Sequence, residues 1–355
     1  MPKHMTRRKA LTAGTSAAGI LAAAGCSPQE QTAVPEESSP PPFLTPWSPP
    51  ENVARDLTPG STPVRLASWS STTTLDYKKD LSPTELVKRI RDAGYTSGNA
   101  YTGMNSPRNP WLEAPESEIS ELKAAMETYD VTFFDMHSVG NNLHPDVSMR
   151  EKSMKYIAEC CEAAERVGCP MVTSHAGNTS PVSAISPHKD NWTWDTWKLA
   201  VKGTQQILKD TAGMKVELGI EAVNMTCMNN PRAHLRFIED VGDPRCKVLL
   251  DPINMISLRN YFRTTELINE CFDLLGENIL AAHAKDTLIL DQMLAYITEL
   301  AAGKGELDYE QYLVRLSRLS TPRTLLIEHI PDEQYAETKK FIEDTAAKIG
   351  VAIYG

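Results

Sequence analysis

The clearest indication of the fold is the segment Lys247-Val248-Leu249-Leu250-Asp251-Pro252-Ile253-Asn254. After Lys247 it contains the continuously apolar run Val248-Leu249-Leu250, which is typical of a strand buried on both faces of a parallel sheet. An acidic side chain, Asp251, then interrupts the run near its end. Similar short runs recur along the chain from residue 64 onward, and longer amphipathic patterns separate them.

Eight such runs predict eight strands, at 64–70, 96–102, 131–138, 170–176, 216–223, 247–253, 279–285 and 324–330. An amphipathic helical pattern follows each of them, the first over 83–93 and the last over 332–349. Eight strand–helix units in about 290 residues predict an α/β fold, a single (β/α)8 TIM barrel over residues 64–355. An open doubly wound sheet is the alternative, and it is disfavoured because no Gly-rich phosphate loop follows the first strand.

The composition bounds the class of protein. The chain has 355 residues, of which 41% are hydrophobic and 23% charged, as is ordinary for a globular protein with a sizeable core. It carries 36 Lys and Arg against 46 Asp and Glu, a formal net charge of -10. This acidic balance argues against a nucleic-acid partner, which would need a basic surface.

The first 26 residues predict an export signal. Arg7 and Arg8 lie in a basic start, a weakly apolar run follows, and small residues at 22–25 precede Cys26. The segment resembles a twin-arginine signal peptide that ends in a bacterial lipobox, although Ala10 stands where a bulkier apolar residue is usual. The resemblance implies a signal peptide over 1–25, lipidation of Cys26 and a lipid-anchored position in the cell envelope. An ordinary signal with a chance cysteine is the alternative.

Residues 26–63 predict a flexible linker between this anchor and the barrel. Prolines at 35, 40–42, 46, 49 and 50 lie among Ser, Glu and Thr. Such a composition buries too little apolar surface to fold and acts as a spacer. The only membrane contact expected from the sequence is therefore through the lipid on Cys26.

Four strand ends carry ionisable side chains: Glu221, Asp251, His283 and Glu328. In a barrel the carboxyl ends of the strands meet at one face, where active sites lie. Buried charges are costly unless they are paired or bind a metal. Taken alone, each glutamate could be a salt-bridge partner, Asp251 could form a turn before Pro252, and His283 could be a core histidine. Together they predict one divalent metal ion, with Mn²⁺, Mg²⁺ or Co²⁺ favoured by the oxygen-rich set and Zn²⁺ also allowed.

The same segments resemble the sugar phosphate isomerase/epimerase family of xylose isomerase-like TIM barrels. The resemblance rests on Ile220-Glu221 with Asn224, on 251–254, 283–286 and 327–329, and on the loop Gly303-Lys304-Gly305-Glu306-Leu307-Asp308-Tyr309. It implies that Glu221, Asp251, His283 and Glu328 bind the metal. It also implies that Glu221 and Glu328 are the catalytic acid/base groups of an isomerase or epimerase that works through a metal-stabilised enediolate.

Six further residues are candidates for substrate binding: Trp69, His137, His175, His188, Asn254 and Lys285. Most of them lie at strand ends or just after them, and His188 lies in a long polar loop. A tryptophan ring can stack on the C–H face of a sugar. For His137 the alternative is a structural hydrogen bond, and for Lys285 it is a salt bridge to Asp286 or Glu328.

Export favours a free sugar, a glycoside or an oxidised sugar as the substrate, since sugar phosphates are cytoplasmic. The same site would also support a lyase or hydratase acting on a 3-keto-glycoside. A non-catalytic carbohydrate-binding lipoprotein is the alternative of another class. A DNA-repair endonuclease on the same barrel is disfavoured because the chain is acidic and offers one obvious metal cluster. The sequence allows an oligomer without specifying one.

Overall fold

The computed structural model describes residues 41–50, 54–70, 81–101, 109–138 and 140–354. The predicted signal peptide over 1–25, the predicted lipidation site Cys26 and the linker residues 27–40 lie outside the described residues. Within those described ranges, no helix combines the length and the apolar character that crossing a membrane requires.

Parallel strands form the wall of a TIM-barrel-like α/β fold, as predicted. In chain order, the strands of the described residues, inside and outside this wall, are β1 (Val64–Ser68), β2 (Ser97–Tyr101), β3 (Thr132–His137), β4 (Met171–His175), β5 (Glu217–Glu221), β6 (Cys246–Leu250), β7 (Ile279–Ala284), β8 (Asp286–Ile289), β9 (Ile297–Leu300), β10 (Thr324–Ile327) and β11 (Ile353–Tyr354). Nine of them form one sheet in the order β11-β1-β10-β7-β6-β5-β4-β3-β2. Because β1 also lies in contact with β2, the sheet curls into a barrel.

Eight α-helices cover this sheet. They are α1 (Pro83–Asp92), α2 (Glu116–Tyr129), α3 (Val147–Val167), α4 (Trp194–Asp210), α5 (Pro231–Val241), α6 (Thr264–Leu275), α7 (Tyr309–Ser317) and α8 (Tyr335–Ile349) among the residues described. Local sequence sets their ends. Ser82 and Glu85 form a capping box at the start of α1, where Pro83 needs no hydrogen-bond partner for its nitrogen. Gly168 ends α3 in the left-handed region, at φ 81°.

All eight predicted strands are present, with boundaries that differ by at most three residues. The sequence did not predict the antiparallel hairpin of β8 and β9, which is inserted between β7 and α7. Each hairpin strand has four residues and is partly exposed, so neither shows a long apolar run. The short β11, which pairs with the start of β1, was also missed.

The barrel interior places the candidate site. One interior layer contains the apolar side chains of Leu249, Ala281 and Leu326 on β6, β7 and β10. Alternate residues of a strand share a face. Residues two positions further along, including Asp251 and His283, therefore lie in the next interior layer, toward the carboxyl ends of the strands. We call this end of the barrel the mouth.

Part of the predicted linker lies against the barrel, and we call its described residues, 41–50 and 54–63, the strap. The side chain of Phe43 is only 5% exposed. Its ring packs on Trp194 and Trp197 of α4, with centroid separations of 5.9 and 5.7 Å. Trp47 donates a 2.6 Å hydrogen bond to Glu270 of α6. The expectation of a flexible linker is corrected for these residues, because two aromatic side chains anchor a Pro-rich segment.

Candidate metal centre

Four ionisable side chains meet at the mouth of the barrel. Glu221 is the last residue of β5, Asp251 directly follows β6, His283 lies near the end of β7 and Glu328 directly follows β10. Each is at most 4% exposed. One potential ligand atom from each residue lies within 4.8 Å of the others. The structure therefore brings together all four residues that the sequence predicted as metal ligands.

Three carboxylate oxygens surround one imidazole nitrogen. Nδ1 of His283 lies 3.1 Å from Glu221 Oε1, 3.4 Å from Asp251 Oδ2 and 2.9 Å from Glu328 Oε1. Within the described part of the chain, both ring nitrogens of His283 are buried without a hydrogen bond of acceptable geometry. Buried polar atoms normally have partners. Three carboxylates and one nitrogen fit a divalent cation, and such an ion would give Nδ1 of His283 its partner.

Lys285 supplies a positive charge beside the cluster. Its Nζ atom lies 2.7 Å from Asp251 Oδ2 and 2.8 Å from Glu328 Oε1. Burial disfavours the charged form of this lysine, but the two carboxylates raise its pKa well above the ordinary value. Burial likewise opposes ionisation of Asp251, yet Lys285 and His283 lower the pKa of Asp251 to about 2. Both groups are therefore charged at neutral pH.

The histidine and the two glutamates also fix each other's protonation. Burial disfavours the imidazolium, but Glu328 and Glu221 raise the pKa of His283 well above its ordinary value. Burial also opposes ionisation of the glutamates, and His283 nevertheless holds the pKa of each below its ordinary value. The metal-free cluster therefore keeps a proton on His283, which a metal ion would have to displace.

The two glutamates share one arrangement. In each, Oε1 points into the cluster, while Oε2 lies near a histidine outside it. Glu221 Oε2 is 3.6 Å from His175 Nδ1, and Glu328 Oε2 is 3.8 Å from His329 Nε2. Asn254 donates a 2.9 Å hydrogen bond to Glu221 Oε1. Each glutamate can thus hold a cation through one oxygen and exchange a proton through the other.

The other predicted substrate-binding residues fall into two groups. Trp69 and His137 lie beside His175, with ring centroids 4.8 Å apart for Trp69 and His137 and 6.2 Å apart for His137 and His175. His188 instead contacts Thr179 Oγ1 at 3.0 Å within the loop after β4. The structure brings Trp69 and His137 toward the cluster and places His188 in its own loop. Their roles in substrate binding stay predictions.

Two residues near the centre were not among the predicted site residues. His329 has φ 56°, a left-handed conformation that is uncommon for a residue with a side chain. Its Nδ1 lies 3.1 Å from Glu299 Oε2 on β9, and this contact raises the pKa of His329. Glu299 also lies 3.4 Å from Lys285. His329 directly follows Glu328 in a quoted segment, whereas Glu299 could be found only by predicting the hairpin.

Comparison with known families gives the same fold. The family model described as xylose isomerase-like TIM barrel matches residues 87–345. The chain belongs to this family. A comparison with curated protein sequences finds no match.

Several solved structures share the fold of this xylose isomerase-like TIM barrel. Endonuclease IV from Thermus thermophilus is 14% identical, with 80% of this chain and 99% of that chain covered and a TM-score of 0.62. A xylose isomerase-like TIM barrel protein from Mycobacterium smegmatis, in complex with magnesium, is also 14% identical, with 81% and 98% covered and a TM-score of 0.58. The 3-keto-D-glucoside 4-epimerase from E. coli is 14% identical, with 79% and 99% covered and a TM-score of 0.56. At these identities the likeness shows the fold alone.

Proposed function

We propose that this chain is a divalent-metal-dependent sugar isomerase or epimerase. It would remove and return a proton next to the carbonyl of a free sugar, a glycoside or an oxidised sugar. The observation that carries the proposal is the convergence of Glu221, Asp251, His283 and Glu328, with ligand atoms within 4.8 Å of one another. Membership of a family with epimerase and isomerase neighbours supports an enzyme of this kind.

In this proposal each side chain has its own task. A divalent ion bound by the four ligands would supply Lewis-acid polarisation of the substrate carbonyl. Glu221 and Glu328 are ionised because their pKa values stay below the ordinary value, so either one can take the proton through its outer oxygen. The carboxyl group so formed returns the proton on the same face, or the other glutamate, after taking a proton from water, delivers one on the opposite face. Asn254 fixes the inner oxygen of Glu221. Lys285 holds Asp251 and Glu328 in place.

The mouth also supports a sugar as the substrate. The ring of Trp69 lies beside His137, His137 lies beside His175, and His175 lies beside Oε2 of Glu221. An indole ring offers a face for sugar stacking. One structural neighbour is named a 3-keto-D-glucoside 4-epimerase, which favours testing keto sugars first. Elimination from a 3-keto-glycoside begins with the same proton removal, so the products distinguish an epimerase from a lyase.

Hydrogen exchange tests the proposal directly. The full chain, loaded with Mg²⁺, is incubated in D2O with ketoses and with 3-keto-glycosides, and proton NMR follows the signal of the hydrogen on the carbon next to the carbonyl. We expect exchange that Glu221→Gln and Glu328→Gln each abolish. Glu239→Gln, an exposed glutamate on α5, is the matched control and should leave the exchange unchanged.

The outcomes separate the alternatives. An inverted or isomerised sugar supports the proposal, and release of an aglycone supports the lyase instead. If the loaded chain exchanges no proton in any sugar but still binds one that Glu221→Gln also binds, the chain is a sugar-binding protein and the proposal is wrong.

We also propose export and a lipid anchor on Cys26, on the strength of the sequence pattern. Mass spectrometry of the mature N-terminus checks this. A diacylglyceryl group on Cys26 would support it, and a mature chain that begins at another residue would contradict it.

A further inference from the structure

Exposed apolar side chains collect at the mouth of the barrel, on one side of the candidate metal centre. They come from the loop after β6 and from the tip of the β8–β9 hairpin, and we call them the apolar rim: Leu258, Phe262, Met293, Leu294 and Tyr296. Each of these side chains is at least 58% exposed. Large apolar side chains exposed together mark a surface that meets a partner or a lipid.

A hydrogen bond joins the loop after β6 to the β8–β9 hairpin. Tyr261 OH accepts a 3.1 Å hydrogen bond from the backbone nitrogen of Ile289 at the end of β8. The ring of Phe262 packs edge-on against Tyr261, with centroids 4.7 Å apart. The hairpin tip is closed by a 2.9 Å hydrogen bond from Leu290 N to Tyr296 O. The loop that carries Leu258 and Phe262 is thus tied to the hairpin that carries Met293, Leu294 and Tyr296.

Basic and apolar side chains alternate in the loop after β6. Leu258, Arg259, Phe262 and Arg263 are all exposed, while Tyr261 between them is buried. Among the residues described, no carboxylate forms an ion pair with either arginine. Two unpaired guanidinium groups are notable in a chain with a net charge of -10. A guanidinium fits a phosphate oxygen pair, and neighbouring apolar tips fit the boundary between headgroups and acyl chains.

The strap brings the N-terminal part of the chain to the same end of the barrel. The backbone oxygens of Pro42 and Phe43 accept hydrogen bonds of 3.1 and 3.3 Å from Asn230 and Asn229. These asparagines directly precede α5, on the mouth side. About fifteen residues separate the predicted lipid on Cys26 from residue 41, and even fully extended they reach only about 50 Å. A lipid on Cys26 would thus keep residue 41, which lies on the mouth side, within about 50 Å of the bilayer.

We propose that the apolar rim docks on a phospholipid bilayer, with the mouth turned toward the lipid surface. Leu258, Phe262, Met293, Leu294 and Tyr296 enter the headgroup region, and Arg259 and Arg263 bind lipid phosphates. This contact adds a protein surface to the lipid anchor that the sequence predicts, and it does not depend on the reaction at the metal centre.

Vesicle flotation tests the contact without the anchor. The full chain carrying Cys26→Ser is mixed with vesicles of phosphatidylcholine, alone or with about one-fifth phosphatidylglycerol. We expect it to float with both, and more strongly with the anionic vesicles. Met293→Asp combined with Leu294→Asp should lower the partition coefficient at least about tenfold. Arg259→Gln combined with Arg263→Gln should remove most of the preference for phosphatidylglycerol, about tenfold.

A matched control places the same acidic change elsewhere at the mouth. Val147 and Met149 are exposed at the start of α3, which follows β3, four places from β7 in the sheet order and thus across the barrel. Val147→Asp combined with Met149→Asp should leave flotation unchanged. All variants should keep the thermal unfolding midpoint of the parent chain.

Two results would overturn the proposal. One is a parent chain that does not float with either vesicle. The other is flotation that the Met293 and Leu294 substitutions do not reduce. If light scattering instead shows a dimer that these substitutions dissociate, while vesicles recover no protein, the apolar rim is an interface between two copies of the chain.

Discussion

Asp251 and Asp286 are both buried aspartates beside neighbouring barrel strands, yet their surroundings differ. Asp251 faces charged side chains, Lys285 at 2.7 Å and His283 at 3.4 Å. Asp286 instead accepts hydrogen bonds of 2.9 to 3.0 Å from the backbone nitrogens of Thr287, Gly303 and Leu307. Beside the carboxylate of Asp251, one cation can therefore replace another. The second environment holds a loop in one conformation.

The backbone of the loop around Asp286 packs closely against neighbouring backbone atoms. Gly303 has φ 84°, and a Cβ atom on Gly305 would lie 2.2 Å from the backbone oxygen of Thr287. The loop leads to Tyr309, whose hydroxyl donates a 2.7 Å hydrogen bond to the backbone oxygen of Lys285. The Gly-rich segment therefore supports the backbone at Lys285, beside the metal centre.

The largest effect should come from removing the backbone acceptor. Asp286→Ala leaves the buried N–H groups of Thr287 and Leu307 and the part-buried N–H group of Gly303 without their partner, and each buried loss costs about 1–3 kcal/mol. We expect the free energy of unfolding to fall by about 4 kcal/mol, measured by urea denaturation. Asp286→Asn keeps one acceptor oxygen and should recover part of the loss. A loss below about 1 kcal/mol for Asp286→Ala would contradict the structural role.

A smaller free-energy change is expected at Asp251, and it should appear in metal binding. Asp251→Asn removes one ligand charge, so the Mn²⁺ affinity should fall at least about a hundredfold, or about 3 kcal/mol. The metal-free chain should lose less stability than Asp286→Ala, because Lys285 keeps Glu328 as a partner. Calorimetric titration measures the first quantity and urea denaturation the second. Retained affinity would show that the cluster is not the metal site.

The pH dependence of metal binding is expected to be the next largest effect. The raised pKa of His283 keeps this residue protonated at neutral pH in the metal-free chain, and a ligand imidazole must be neutral. Affinity should therefore rise about tenfold per pH unit until the pH passes that pKa. Titrations in buffers of different ionisation enthalpy should show about one proton released. An affinity that is independent of pH would contradict a protonated His283.

The same shift has a consequence for the metal-free fold. A histidine whose pKa is raised on folding stabilises the chain below its unfolded pKa, and this contribution is lost as the pH rises through the folded pKa. The metal-free chain should thus become less stable at alkaline pH, while the metal-loaded chain should not. Thermal unfolding with and without Mn²⁺ provides the measurement.

The smallest effect should be found at an exposed pair in the loop that Asp286 holds. Lys304 Nζ lies 2.5 Å from Glu337 Oε1, but the two side chains are 53% and 68% exposed. Exposed pairs contribute about 0.2–1 kcal/mol. Lys304→Gln should therefore change the free energy of unfolding by less than about 0.5 kcal/mol and leave Mn²⁺ affinity intact. A larger loss would show that side-chain charge, as well as the Asp286 acceptor, holds this loop.

The sequence predicted the barrel and the convergence of the four ligand residues because both follow from strand patterns. Buried parallel strands are apolar, and a polar residue at such a strand end stands out, as Asp251 does after Val248-Leu249-Leu250. The fold then brings the strand ends together. No pattern of this kind marked Glu299, because the strands of its hairpin are short and partly exposed.

The strap was mispredicted because composition averages over a segment. Seven prolines dominate the stretch from 35 to 50, whereas the packing depends on the individual side chains of Phe43 and Trp47. Asp286 was quoted within a motif, but the sequence could not show that its partners are backbone groups of a loop that begins at Gly303. Contacts with backbone atoms leave no trace in residue spacing.

The course of the strap has a mechanical consequence. Its described residues contact the mouth side through Phe43, the start of α7 through Arg55, which binds Asp308 and Glu310, and the opposite end of the barrel through Gly60, whose N donates to Ser317 Oγ. Only then does the chain enter β1. A pulling force on the N-terminal side would first load the aromatic contacts of Phe43 and then the guanidinium of Arg55. These contacts of the strap would thus have to break before the force reached β1.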